Sequence, residues 1–178
     1  MSRLNRYAVL ASTLMLPLMA QAHPGHETHA TLMQGLLHPL TGWDHLFVLL
    51  SLGALAAGRG PGMAMTCGAL LAAALSGGAM IGLTWPTASF VEPAILVTVF
   101  GCVLLLALRR HISRGGLAAL CIAFALVHGV AHGQEAPGGD LVAYFAGFTF
   151  SGAIIYAAGV MLMQRLLWRM SPAAARGE

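Results

Sequence analysis

Residues 63–84 read MAMTCGALLAAALSGGAMIGLT and contain no charged side chain. An α-helix needs about 20 such residues to cross the hydrocarbon core of a bilayer. The whole chain has the same character, since 58% of its 178 residues are hydrophobic and only 8% are charged. A soluble domain carries about 25% charged residues, which it needs to cover a water-facing surface. We therefore predict an all-α, polytopic membrane protein.

Four further apolar segments accompany this one along the chain. Together they predict five transmembrane helices at about residues 31–58, 63–84, 90–108, 117–133 and 141–168. The fourth lies near the short end of the usual range of roughly 17–25 residues. The fifth is long enough to tilt or to extend beyond the bilayer. We expect these helices to form a single transmembrane domain over residues 23–178.

A signal peptide is predicted before the first span. Two arginines give residues 1–22 a positive start, and the apolar run 8–20 is too short to span comfortably. Residues 20–22 read Ala-Gln-Ala, a pattern typical of a cleavage site. We predict cleavage before His23, the alternative being a retained signal anchor. Cleavage would leave the mature N-terminus outside the cytoplasm.

The arginines favour one orientation of the five spans. With the N-terminus outside, the cytoplasmic side receives Arg59, the loop 109–114 and the tail from Arg165 onward, which together hold every arginine of the mature chain. The external segments carry acidic residues instead. This distribution obeys the positive-inside rule. We predict a multi-pass protein of the bacterial inner membrane, with its mature N-terminus periplasmic and its C-terminus cytoplasmic.

The first cluster of polar residues inside a predicted span is HPLTGWDH, residues 38–45. Ionisable residues are costly in lipid, so each is a candidate for function. On a straight helix, His38 and His45 would lie about 10 Å apart, too far to share one ion. Pro39 and Gly42 favour a kink or an unwound turn, which would bring His38, Asp44 and His45 together. The alternative is a kinked helix whose histidines bond to neighbouring groups.

The second cluster is HGVAHGQE, residues 128–135. His128 and His132 are four residues apart and therefore neighbours on one helix face. This is the spacing by which a helix offers two imidazoles to one metal ion. Glu135 falls on the same face. The alternative is that these histidines bridge helices in a purely structural role.

The predicted topology places both clusters at the outer side of the membrane, because span one runs inward and span four runs outward. Imidazole and carboxylate ligands suit Zn, Ni, Co or Fe(II), whereas thiolate and thioether ligands suit Cu(I). Neither cluster contains Cys or Met. We therefore predict a site for a divalent transition metal, with the candidate ligands His38, Asp44, His45, His128, His132 and Glu135.

A third group of candidate ligands is weaker and follows the predicted cleavage site. His23, His26 and His29 form a His-rich start that could capture ions from solution. The alternative is a polar leader without a role. The arginines are too scattered for a nucleic-acid-binding surface, so we expect the partners to be a metal ion and the lipid bilayer. The sequence does not indicate an oligomeric state.

With these two motifs, and with a His-Pro-Gly-His start behind a signal peptide, the chain resembles the HupE/UreJ family of nickel and cobalt permeases. The resemblance covers essentially the whole chain. It implies uptake of Ni²⁺, or Co²⁺ in some members, without ATP hydrolysis, for enzymes such as hydrogenase or urease. It also implies central transport roles for His38, Asp44 and His45, supported by His128, His132 and Glu135. No prosthetic group is expected, since the metal is the transported substrate.

Two other functions are compatible with the same residues. An intramembrane hydrolase could use His and Asp around a zinc ion with a free water position, although no substrate groove or further acid–base pair is evident. A metal-sensing or accessory membrane subunit is the other alternative. We predict that the protein is a permease and not an enzyme.

Overall fold

The computed structural model describes residues 30–85 and 90–170. They form six α-helices and one 3₁₀ turn: α1 (Leu32–Thr41), α2 (Trp43–Ala57), α3 (Pro61–Thr84), α4 (Val91–Ala107), the turn Arg109–His111, α5 (Arg114–Gln134) and α6 (Leu141–Arg169). Within these ranges the only β-type pairing is an isolated bridge between Ala30 and Gly139. The predicted all-α class is confirmed. The predicted signal peptide, residues 1–22, lies outside the described residues.

The helices account for three to four membrane spans by length and composition. Helices α3, α5 and α6 are long and apolar enough individually, and α1 with α2 adds a fourth if the bent pair is one span. Helix α4 has 17 residues, fewer than the about 20 that cross a bilayer squarely. Helix α5 begins three residues before the predicted fourth span, 117–133. The Ser113 hydroxyl caps its start by accepting a hydrogen bond from Gly116 N at 3.0 Å.

The first predicted span, residues 31–58, is broken into two helices. Helices α1 and α2 meet at an angle of 80°, and Gly42 between them is extended, with φ −87° and ψ 110°. Pro39 lies within α1, which continues to Thr41. Of the two residues expected to disturb this helix, the one at the break is therefore Gly42, which has a low helix propensity.

Glycines bring helix backbones into direct contact at two interfaces, one between α3 and α5 and the other between α6 and the pair α1 and α2. Gly78 and Gly82 of α3 lie against Gly129 and Gly133 of α5, so that a Cβ on any of them would meet backbone atoms of the opposite helix. Each helix thus contributes a Gly-x-x-x-Gly pattern to this close approach. Helix α6 packs in the same way on α1, through Gly35 and Gly147, and on α2, through Gly53 and Gly159.

The surface of the bundle is rich in large apolar side chains. Exposed examples occur on α3, α4 and α6, among them Met65, Val97, Phe150 and Met161. Such a surface would be unfavourable in water and suits a lipid environment. The polar side chains that matter for function lie inside the bundle instead, at the end where α2, α4 and α6 begin and α5 ends.

Candidate metal centre

Four imidazole rings from three helices lie together inside the bundle. The ring centroid of His132 is 4.5 Å from that of His38 and 4.2 Å from that of His45, and the His45 and His128 centroids are 4.8 Å apart. His38 and His45 are separated by 6.0 Å between ring centroids, less than a straight helix would allow. The two clusters that are far apart in sequence are therefore adjacent in space.

The break at Gly42 is the local feature that assembles the first cluster. It leaves His38 in the last turn of α1 and places Asp44 and His45 in the first turn of α2. Gly42 also packs directly against those side chains, because a Cβ there would lie 3.1 Å from Asp44 Oδ1 and 3.4 Å from the His45 ring. The second cluster needs no break, since His128 and His132 share a face of the regular helix α5.

The candidate ligands form two groups of three. One consists of His38, His45 and His132, and the other of Asp44, His45 and His128. In each group, one ligand atom from every residue lies within 4.8 Å of the others. His45 belongs to both groups, so the two possible ion positions are neighbours that share an imidazole.

The histidines are buried, and several of their nitrogens are left unsatisfied by the protein. His45, His128 and His132 are 8%, 3% and 1% exposed. Among the described residues, neither ring nitrogen of His132 has a hydrogen-bond partner, and Nε2 of His45 has none either. An unsatisfied buried polar group costs about 1–3 kcal/mol. An unprotonated imidazole nitrogen without a hydrogen-bond partner has its lone pair available to bind a cation.

The carboxylate of Asp44 adds negative charge beside these rings. Its Oδ1 lies 2.7 Å from Nδ1 of His45. Asp44 is half-buried, whereas the three buried histidines lie deeper. A carboxylate oxygen and an imidazole nitrogen at this separation can both ligate one divalent ion, and such N/O ligands suit Ni, Co or Zn.

Thiols do not contribute to either group. Cys67, Cys102 and Cys121 are buried and belong to the hydrophobic core. The donors in both groups are therefore only imidazole and carboxylate, in keeping with the sequence analysis.

Three residues near the rings were missed by the sequence analysis. The Thr98 hydroxyl lies 2.9 Å from His128 Nε2, the Tyr144 ring lies 6.2 Å from that of His38, and the Phe148 ring lies 4.3 Å from that of His132. The sequence does distinguish Thr98, because it is a polar side chain within an apolar segment. Nothing in the sequence distinguishes Tyr144 and Phe148 from other aromatic core residues.

Glu135 is placed differently from the other candidates. It is exposed, follows the last residue of α5 as its C-terminal cap, and belongs to neither ligand group. Its carboxylate interacts electrostatically with Tyr144, which packs beside His38. The role of Glu135 as a metal ligand stays a prediction. The weaker candidates His23, His26 and His29 lie outside the described residues.

A small cavity of about 10 Å³ lies against the imidazoles of His45 and His128. Its other lining residues are apolar and include Val48, Leu52, Leu75 and Phe148. This is near the smallest volume that holds one water molecule. Leu52 and Leu75, which line it, are only 0% and 1% exposed.

Comparison with known proteins gives a consistent picture along almost the whole chain. The family model described as "HupE / UreJ protein" matches residues 10–177. The protein named HupE from Rhizobium leguminosarum bv. viciae is 30% identical over 175 residues, which cover 96% of this chain and 91% of that protein. No solved structure matches this chain significantly.

Proposed function

This chain belongs to the HupE/UreJ family, and from that premise we propose that it is a permease carrying a divalent transition metal into the cell. The proposed substrate is Ni²⁺, with Co²⁺ as the next choice. The ion would serve metalloenzymes such as hydrogenase or urease. No covalent step is involved, so the protein acts as a carrier and not as an enzyme.

The observation that carries this proposal is the pair of ligand groups that share His45. A carrier must bind its ion well enough to remove part of the hydration shell and weakly enough to release it again. Two adjacent positions, each with three protein ligands, meet both needs, since His45 can stay bound while the other ligands exchange. A structural metal site would instead surround one position completely.

The two groups also suggest an order of events. His38 is the half-buried member of the first group, so we place ion entry at His38, His45 and His132. The ion would then pass to Asp44 and His128 while keeping His45, which brings it beside the cavity. Release toward the cytoplasm requires the closed apolar layer that contains Leu52 and Leu75 to open.

The same proposal includes the membrane topology. We propose that α4 is a fifth span, because its 17 residues fall within the range of roughly 17–25 and its Thr98 contacts the buried His128. With a cleaved signal peptide and five spans, the metal centre faces the periplasm. The opposite end carries Arg59, whose Nη2 donates a hydrogen bond to the Arg109 carbonyl at 2.6 Å, and would face the cytoplasm.

Uptake of radioactive nickel in a host that lacks its own nickel transporters tests this function. We expect accumulation with the wild-type chain and none with His45→Ala, at equal amounts of protein in the membrane. His111→Ala is the matched control, because His111 is exposed in the 3₁₀ turn. Normal accumulation with His45→Ala would refute the assignment of the site.

The metal content of the purified protein separates this function from the hydrolase alternative. A permease is expected to lose its nickel on dialysis, whereas an intramembrane zinc enzyme would keep about one zinc per chain. A chain that transports no metal and holds none tightly would point to the accessory-subunit alternative.

A further inference from the structure

We propose that Thr98 is a positioning residue that selects the tautomer of His128 and so decides which of its nitrogens can bind the ion. This inference rests on the proposed function, because the tautomer affects transport only if His128 binds the ion. The tautomer itself is a property of the metal-free protein and can be measured without transport.

Thr98 connects α4 to the metal centre through one buried hydroxyl group. The residue is 2% exposed. Its Oγ1 lies 2.7 Å from the carbonyl oxygen of Ile95, one turn earlier in α4, and 2.9 Å from Nε2 of His128 on α5. Helix α4 supplies no member of either ligand group, so its influence on the ion would act through this contact.

The hydroxyl has only one proton to donate, and two acceptors are within reach. The carbonyl of Ile95 has no proton of its own, so its contact with Oγ1 at 2.7 Å is favourable only if the Thr98 hydroxyl donates. If the hydroxyl instead donated to His128, two oxygens would face each other at that distance with no proton between them. The proton therefore lies toward Ile95, and Oγ1 accepts a hydrogen bond from His128.

This assignment determines the state of the imidazole. In its neutral form, His128 carries its proton on Nε2, and Nδ1 is the only ring nitrogen with a free lone pair. A metal ligand needs such a lone pair, and the partner of the other nitrogen sets which one is available. His128 would thus join Asp44 and His45 through Nδ1, and an ion in that position would find the lone pair already in place.

The chain offers matched variants that separate the hydroxyl from the shape of the side chain. Thr98→Val keeps the branched shape and removes the hydroxyl, while Thr98→Ser keeps the hydroxyl and removes the methyl group. Thr66→Val is the control, because Thr66 also donates its hydroxyl within its own helix, to the Gly62 carbonyl at 3.0 Å. Thr66 is exposed and lies on α3, outside both ligand groups.

The first measurement is ¹⁵N NMR of the full chain, labelled at histidine and purified in detergent without metal. The His128 signals are identified as those that disappear in His128→Asn. We expect them to report protonation at Nε2 in the wild type, Thr98→Ser and Thr66→Val. In Thr98→Val we expect a mixture of the two tautomers, because the partner that selects one of them is gone.

The second measurement is a Co²⁺ titration of the same proteins, followed through the visible absorption of the bound ion. We expect Thr98→Val to weaken Co²⁺ binding by about 10–100-fold, the usual effect of removing a partner of a metal ligand. Thr98→Ser should recover most of the affinity, and Thr66→Val should bind as the wild type does.

Two results would overturn the inference. One is a wild-type tautomer and unchanged Co²⁺ affinity in Thr98→Val. The other is a Thr98→Ser protein as impaired as Thr98→Val, which would assign the effect to packing of the methyl group. Failure of the wild type to accumulate nickel would refute the proposed function instead, while the NMR result would still decide the role of Thr98.

Discussion

Nδ1 of His45 lies 2.7 Å from Oδ1 of Asp44, in the first turn of the helix that follows the break at Gly42. The same imidazole packs against the rings of His128 and His132. His45 is therefore the residue through which the two ligand groups are joined. Several predictions about ion binding depend on this shared position.

Removing His45 should impair ion binding more than removing His38, because His45 belongs to both ligand groups and His38 to one. We expect no measurable Co²⁺ binding in His45→Ala. His38→Ala should retain binding at the Asp44, His45 and His128 position, with a lower rate of uptake. Co²⁺ titration and nickel uptake of both variants check this ordering. Equal losses of binding in the two variants would contradict the existence of two positions.

Replacing Asp44 by Asn removes the negative charge and nearly preserves the shape. We expect a loss of Co²⁺ affinity of at least about tenfold, since even partners outside the ligand set change metal affinity by 10–100-fold. The unfolding temperature of the metal-free protein should change little, because Asn keeps the shape of the side chain and leaves a polar oxygen or nitrogen beside Nδ1 of His45. A lower unfolding temperature of the metal-free variant would show that Asp44 has a structural role instead.

Gly42→Ala tests the packing of the break against the ligands. Alanine tolerates the backbone angles of Gly42, φ −87° and ψ 110°, so the helix break itself should persist. Its Cβ would lie 3.1 Å from Asp44 Oδ1, which forces that carboxylate to shift by a few tenths of an ångström. We expect weaker Co²⁺ binding with little change in the unfolding temperature.

The control for this variant is Gly58→Ala at the other end of α2, where a Cβ would meet no atom within 4 Å. Gly58→Ala should bind Co²⁺ as the wild type does. A Gly42→Ala protein with wild-type affinity would mean that the ligands have room to adjust.

Neighbouring glycines of α3 provide a stability test. A Cβ on Gly78 would collide with the Leu126 carbonyl of α5, whereas a Cβ on Gly77 would meet nothing within 4 Å. We expect Gly78→Ala to reduce the free energy of unfolding by about 1–3 kcal/mol, as overpacking does. Gly77→Ala should be neutral or stabilising by up to about 1 kcal/mol, since alanine favours the helix.

Thermal unfolding of the two variants in the same detergent gives the comparison. The difference between them is the informative quantity, because the substitution, the helix and the solvent are identical. Equal unfolding temperatures would show that α3 and α5 can separate without cost.

The sequence predicted the parts of this structure that depend on local composition. Apolar segments gave the helices, and Pro39 and Gly42 indicated a disturbance between His38 and His45, without showing which of the two lies at the break. The clusters around His45 and His132 were expected at the same side of the membrane, because span one runs inward and span four runs outward.

Other features depend on which helix faces which, and the sequence does not record this. No local pattern indicates the angle of 80° at Gly42 or the packing of α1 on α6 through Gly35. The role inferred for Thr98 requires knowing that α4 lies beside His128. The division of the ligands into two groups sharing His45 likewise depends on ring positions that only the folded structure defines.

The glycine contacts have a mechanical consequence. Backbone packing joins α1 and α2 to α6, and separately joins α3 to α5. The first of these units contains His38, Asp44 and His45. The second contains His128 and His132. In the proposed function, an ion bound by either ligand group would be held by residues of both units, so it would oppose their separation. An ion bound too tightly would then block its own transport.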